Sequence, residues 1–203
     1  MSIHFRKNLA VVTPNDVPQL AGWLEQHSGQ VFRLKSIRGE AYFQALGPED
    51  EACRVPINIT SKAPGNLKLI SNFAATPFEL NGLDYGSIEA FWQGLKFPDE
   101  AKRRELAPLH GAKAKDAGFH APKADTIIYA GQTVRVGTWE HWQLMERATF
   151  AKFEQNAVAR KALLSTGERP LMHQIKNDSR TIPGAILAEI WIRCRASLRC
   201  SSH

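Results

Sequence analysis

Ile88, Phe91, Trp92 and Leu95 recur at i, i+3, i+4 and i+7, the spacing that lays one apolar stripe along a helix. Gly86 and Ser87 mark its start, Ser87 as the side-chain cap, and Pro98 follows Phe97 where the helix has to stop. Glu89, Gln93 and Lys96 repeat at i, i+4 and i+7, and at about 100° per residue they form a second stripe directly beside Trp92. An acid, an amide and a base therefore line one edge of a face that must be buried. In isolation such a stripe reads as a solvated helix edge.

The chain has 203 residues of which 43% are hydrophobic, enough to bury the core of one domain with a small appendage. No apolar run approaches the roughly 18 residues of a membrane span, and Met1 to Lys7 lacks the apolar segment of a secretory signal. A cytoplasmic protein with no membrane partner is expected. Three cysteines, Cys53, Cys194 and Cys200, are an odd number without metal-type spacing, so neither a disulfide framework nor a zinc site is expected. The net charge of +6 suits ligands that carry phosphate, or nucleic acid.

Residues 1–66 read as a separate extension. Asn15 to His27 has the pattern of a short helix, and Gln30 to Lys35 with Ala41 to Leu46 that of a hairpin. Arg54 to Thr60 alternates like a strand that Pro56 confines to an edge, and 61–66 is loop-like, the expected boundary. Beyond it come a short strand at 77–80, the turn dipeptide Asn81-Gly82 and the Ile88 helix. Charged and basic helical segments follow at Asp99 to Leu106 and His110 to Phe119, then a strand at Thr126 to Ala130. Thr138 precedes a longer helix at 139–154, and Asn156 to Ser165 continues as another, closed by Thr166-Gly167. Leu171 to Ile175 reads as a strand, and Pro183 opens a last helix with Ile186, Leu187, Ile190, Trp191, Cys194 and Leu198 inside. Arg193, Arg195 and Arg199 are expected outside. There is no glycine-rich phosphate loop, no nucleophile elbow and no His-Glu-x-x-His helix, which disfavours nucleotide-fold, serine-hydrolase and metal readings. The expected fold is α+β and mainly helical: a compact domain at 67–203 with a few short strands, after a small β-containing N-terminal extension.

Taken in order, these motifs resemble the NADAR domain family of YbiA-like N-glycosidases. Ser71-Asn72-Phe73 is similar to that family's Ser-Asn-Phe, and Ser87-Ile88-Glu89-Ala90-Phe91-Trp92-Gln93-Gly94-Leu95-Lys96-Phe97 to its Ser-x-Glu-His-x-x-Gln-x-x-Lys-Phe helix. Trp139, Met145, Lys152-Phe153 and Gln155-Asn156 match further positions, as do Leu163 to Gly167 and Asp178. Ala90 stands where the family usually has histidine, and Ser179-Arg180-Thr181-Ile182-Pro183 replaces its Trp-Gly after the aspartate.

The resemblance implies hydrolysis of an N-ribosidic C–N bond without a cofactor or a metal. The expected substrate is ADP-ribose on guanine in DNA, with DNA and a cognate ADP-ribosyltransferase toxin system as partners. The alternatives are a phosphoribosylated intermediate of riboflavin synthesis, or a non-catalytic module that binds ADP-ribose or nucleic acid. Glu89 is the expected catalytic carboxylate, with Asp178 as a second. Asn72, Phe73, Trp92, Gln93, Lys96, Trp139 and Lys152 are expected to bind the substrate: amides to sugar hydroxyls, lysine to phosphate, tryptophan to the base.

Overall fold

A computed structural model describes residues 55–200 and the backbone of four N-terminal strands. Contacts divide the chain into two compact units, Met1–Val55 and Pro56–His203. In the first, β1 (His4–Arg6), β2 (Leu9–Val12), β3 (Phe32–Ile37) and β4 (Glu40–Ala45) form an antiparallel sheet in the order β1-β2-β4-β3. The β3–β4 pair is the hairpin expected there, and β1–β2 was not legible as one. The helix expected at Asn15 to His27 lies outside the described residues.

The break falls at Val55/Pro56, earlier than the loop at 61–66. The reason is β5 (Ile57–Asn58), which pairs in parallel with β10 (Leu171–Met172) of the second unit. Ile57 N–H donates to Pro170 O at 2.8 Å and Ile59 N–H to Met172 O at 2.9 Å, so the segment is tied to residues more than a hundred positions away. Both strands are shorter than the apolar runs that suggested them.

A 3-10 helix (Gly65–Ile70), two hairpins and six α-helices are the other elements of the described residues. Asn81 and Gly82 both have positive φ, 54° and 75°, as a two-residue turn requires, and join β6 (Phe78–Leu80) to β7 (Leu83–Tyr85). In α1 (Ile88–Gly94) the Ser87 hydroxyl accepts from Ala90 N–H at 3.0 Å, the expected cap. The regular helix ends at Gly94, three residues before Phe97, and the next residues tighten into i→i+3 bonds from Lys96 N–H and Phe97 N–H. Next come α2 (Glu100–Leu106), α3 (Gly111–Phe119) and the hairpin β8 (Thr126–Tyr129) with β9 (Gln132–Arg135), whose second strand the sequence did not reveal. The long helices α4 (Trp139–Gln155) and α6 (Gly184–Cys200) enclose the core with α5 (Ala157–Leu164).

Trp191, Phe91, Phe153, Met145, Leu163 and Ile190 are fully buried at the centre. Edge-to-face contacts from Phe91 to Tyr85 at 5.2 Å and to Tyr129 at 5.7 Å bind both hairpins to α1. The basic run of α2 is mostly paired locally: Lys102 with Glu105 at 2.7 Å, Arg104 with Glu100 at 3.3 Å. Arg103 instead donates to Phe97 O at 2.6 Å and to Ile128 O, stapling the end of the α1 segment to β8. One expectation for α6 is corrected. Arg195 is buried, because its guanidinium donates to Thr166 Oγ1 at 2.7 Å and to Arg169 O at 2.9 Å and so closes the turn after α5. No helix of the described residues is long and apolar enough to cross a membrane.

Candidate active site

The polar stripe of α1 is not solvated. Glu89 is only 7% exposed and Gln93 equally so, and Gln93 Nε2 donates to Glu89 Oε1 at 2.7 Å, the i,i+4 contact the spacing allows. The Glu89 backbone N–H donates to Asn72 O at 2.9 Å, which ties the start of α1 to the Ser71-Asn72-Phe73 segment. These residues border a cavity of about 190 Å³. Lys115 of α3, His173 after β10, and Ser179 and Ile182 of the loop before α6 add to its wall, and Met145 and Trp191 close it from the core. Several separate stretches of chain thus converge on one carboxylate.

Burial pushes the Glu89 carboxyl above the ordinary carboxylate range, while the hydrogen bond from Gln93 and the charges of Lys115 and Lys96 pull it back down. A desolvated carboxylate with one oxygen fixed by an amide is a stronger base than a solvated one, and the nearby cations favour its ionised form. Two buried acceptors around the cavity, Asn72 Oδ1 and Gln93 Oε1, have no hydrogen-bond partner. A buried acceptor left in that state is costly, and Gln93 Oε1 packs against Gly118 of α3.

Close packing fixes Gln93. A Cβ placed on Gly118 of α3 would lie 2.0 Å from Gln93 Oε1 and 2.7 Å from its Cβ, so only glycine lets α3 approach α1 at that point.

Trp92 borders this cavity and also a second one of about 480 Å³ on its other side, where Lys96, Phe119, Lys123 and His141 contribute to the wall. The Trp92 and His141 rings stack at 4.2 Å. Burial pushes the His141 imidazole down to about 4, so it is neutral near pH 7. Gly137 N–H donates to its Nδ1 at 3.2 Å, which leaves the ring proton on Nε2. Burial also lowers the Lys96 ammonium below the usual lysine range, with Glu89 opposing the shift.

Of the residues expected to form the site, Asn72, Phe73, Glu89, Trp92 and Gln93 meet at the smaller cavity and Lys96 lines the larger. The others lie elsewhere. Lys152 is fully buried and donates to Ser71 O at 2.9 Å and Ile70 O at 3.3 Å, so it holds the backbone that carries Asn72 without lining either cavity. Trp139 is 47% exposed and covered on one face by the Arg193 guanidinium at 5.4 Å, and it lines neither cavity. Asp178 is exposed and accepts from Gly184 N–H through both oxygens, at 3.0 and 3.1 Å, and from Ser179 N–H at 2.8 Å. Its carboxylate caps α6 and shapes the loop that brings Ser179 and Ile182 to the cavity. Ala90 is fully buried and also lines neither cavity, so the departure at that position lies in the core.

Lys115 and His173 escaped the sequence reading. Lys115 stood only in a basic helical run, and nothing in the sequence around His173 separates it from the six other histidines.

The mainly helical α+β fold is shared with the YbiA-like proteins. The NMR structure of the Escherichia coli protein YbiA superimposes with a TM-score of 0.56 at 25% identity, over 75% of this chain and 92% of that one. The family described as bacteriophage protein GP30.3 matches residues 67–190. A 17.1 kDa protein of the Gp30–rIII intergenic region of Enterobacteria phage T4 is 30% identical over 109 residues, 52% of this chain and 72% of that protein. N-glycosidase YbiA of E. coli K12 is also 30% identical over 109 residues, 54% of this chain, and the match spans 64% of its length. The chain belongs to this YbiA-like NADAR family of N-glycosidases.

Proposed function

We propose that this protein is a hydrolase that removes ADP-ribose from guanine in DNA by breaking the N-ribosidic C–N bond. The observation that carries the reading is the Glu89–Gln93 pair, a buried carboxylate held at 2.7 Å by an amide beside a small cavity with Lys115 on its wall. As the C–N bond opens, positive charge builds on the anomeric carbon, and an adjacent carboxylate stabilises it. Glu89 takes a proton from the attacking water. The hydroxide oxygen bonds to the anomeric carbon, the bonding pair leaves with the base, and the proton is passed on to the base nitrogen. Asn72 binds a ribose hydroxyl, Gln93 orients Glu89, Lys96 faces the phosphates, Lys115 stands beside the carboxylate, and Trp92 bounds the base. The net charge of +6 favours a nucleic-acid substrate over a small riboflavin intermediate.

The test is a product assay with two substrates, an ADP-ribosyl-guanine oligonucleotide and a ribosylaminopyrimidine phosphate. Glu89→Gln should lower kcat by about 10²- to 10⁴-fold on the oligonucleotide while leaving the fold intact. Turnover of the pyrimidine alone would reassign the substrate. Ligand binding with no base released by the wild type would make the protein a binding module, and near-wild-type hydrolysis by the variant would remove Glu89 from the chemistry.

A further inference from the structure

The Glu89 cavity, at about 190 Å³, holds a sugar-sized group, whereas sites that enclose a whole nucleotide-sized ligand run from about 300 to 1,000 Å³. The remainder of a larger substrate must lie elsewhere. The 480 Å³ recess is of that size, and Trp92 borders both it and the smaller cavity. Its walls combine apolar and aromatic groups, among them Leu95, Ile127 and Val136, with two lysines, Lys96 and Lys123. Phe119 at its margin is 83% exposed, and its one ring contact is the edge of His120 at 5.6 Å. A phenylalanine left this open beside a recess is a stacking platform. The neutral His141 adds a donor that attracts no competing counter-ion.

We infer that this recess binds the nucleoside diphosphate part of the substrate, with the base against Phe119 and the phosphates between Lys96 and Lys123. The inference rests on the ADP-ribosyl reading above, but it assigns a separate subsite with residues of its own. A recess walled on several sides suits one base with its phosphates better than a continuous strand, which needs an open track of successive stacking platforms. The under-hydrated ammonium of Lys96 has less water to lose to a phosphate, and that strengthens the pairing.

Isothermal titration with ADP as the probe tests this without any need for turnover. Wild type should bind ADP, Phe119→Ala should weaken binding about tenfold, and Lys123→Ala should weaken it about three- to tenfold. Both side chains are exposed, so the variants should fold, and Glu89→Gln should bind ADP as the wild type does. No detectable ADP binding, or equal affinity in wild type and both variants, would overturn the subsite. So would variants that lose affinity for a single-stranded oligonucleotide with which ADP does not compete. ADP binding with this pattern in a protein that hydrolyses neither substrate would leave the subsite standing and refute the proposed reaction. Hydrolysis of the ADP-ribosyl oligonucleotide with unaltered ADP affinity in the variants would do the reverse.

Discussion

Gly118→Ala tests whether Gln93 tunes Glu89. The added methyl would sit 2.0 Å from Gln93 Oε1 and 2.7 Å from Gln93 Cβ, so the amide must swing away and α3 must ease off α1. The 2.7 Å bond to Glu89 is then lost. A hydrogen bond to a charged group is worth about 1.5–3 kcal/mol, and this one favours the ionised carboxylate. That bond acts against burial, so its removal lets burial drive the carboxyl further up. The proposed reaction needs the carboxylate, so the ascending limb of the pH–rate profile should move to higher pH, with kcat near the old limb falling about tenfold or more and recovering as pH rises. Thermal stability should change less: alanine gains about 1 kcal/mol of helix propensity, against about 1–3 kcal/mol for the overpacking. The assay pairs the pH–rate profile with ¹³C titration of the Glu89 carboxyl, which reports the shift even without turnover. Gln93→Ala should reproduce the effect, and Gly118→Ala on that background should add little. A Glu89 titration in Gly118→Ala that coincides with the wild type would refute the reasoning.

Burial pushes the Lys152 amine down to about 7, below the 10.5 of an exposed lysine, so between these values the unfolded chain binds the extra proton and stability rises with pH. From pH 7 to 9.5 the gain should be about 3 kcal/mol, readable by urea unfolding, and Lys152→Met should flatten it. Asp178→Ala should cost about 1 kcal/mol in thermal unfolding through loss of the α6 cap, whereas Asp178→Asn should keep both the cap and kcat. A fall of kcat by 10² or more in Asp178→Asn would return that carboxylate to the chemistry. Arg195→Ala should destabilise by about 2–3 kcal/mol in the same unfolding assay by leaving Thr166 and Arg169 without their donor.

The polar edge of α1 was legible because helix geometry brings residues four apart together, and the Glu89–Gln93 bond is that contact. Lys115, His173 and Ser179 reach the same cavity from three distant elements, and no local period encodes such a meeting. The motif around Lys152 misled in a different way. Lys152 holds two carbonyls, Gln155 clasps β6 through Glu79 N–H at 2.7 Å and Glu79 O at 2.8 Å, and Asn156 caps α5. Those side chains are polar because they satisfy buried or edge backbone, and a sequence does not distinguish that role from ligand binding. Arg195 went the same way: its place beside the apolar stripe suggested solvent, and the turn after α5 claimed it.

The indole of Trp92 is a party wall. Substitutions from Phe119 to Asp125 would remodel one chamber while the carboxylate in the other kept its amide, its cations and its backbone anchor. Under the proposed function, selectivity and bond cleavage can then drift independently, and a change at Trp92 itself is the one that would alter both together.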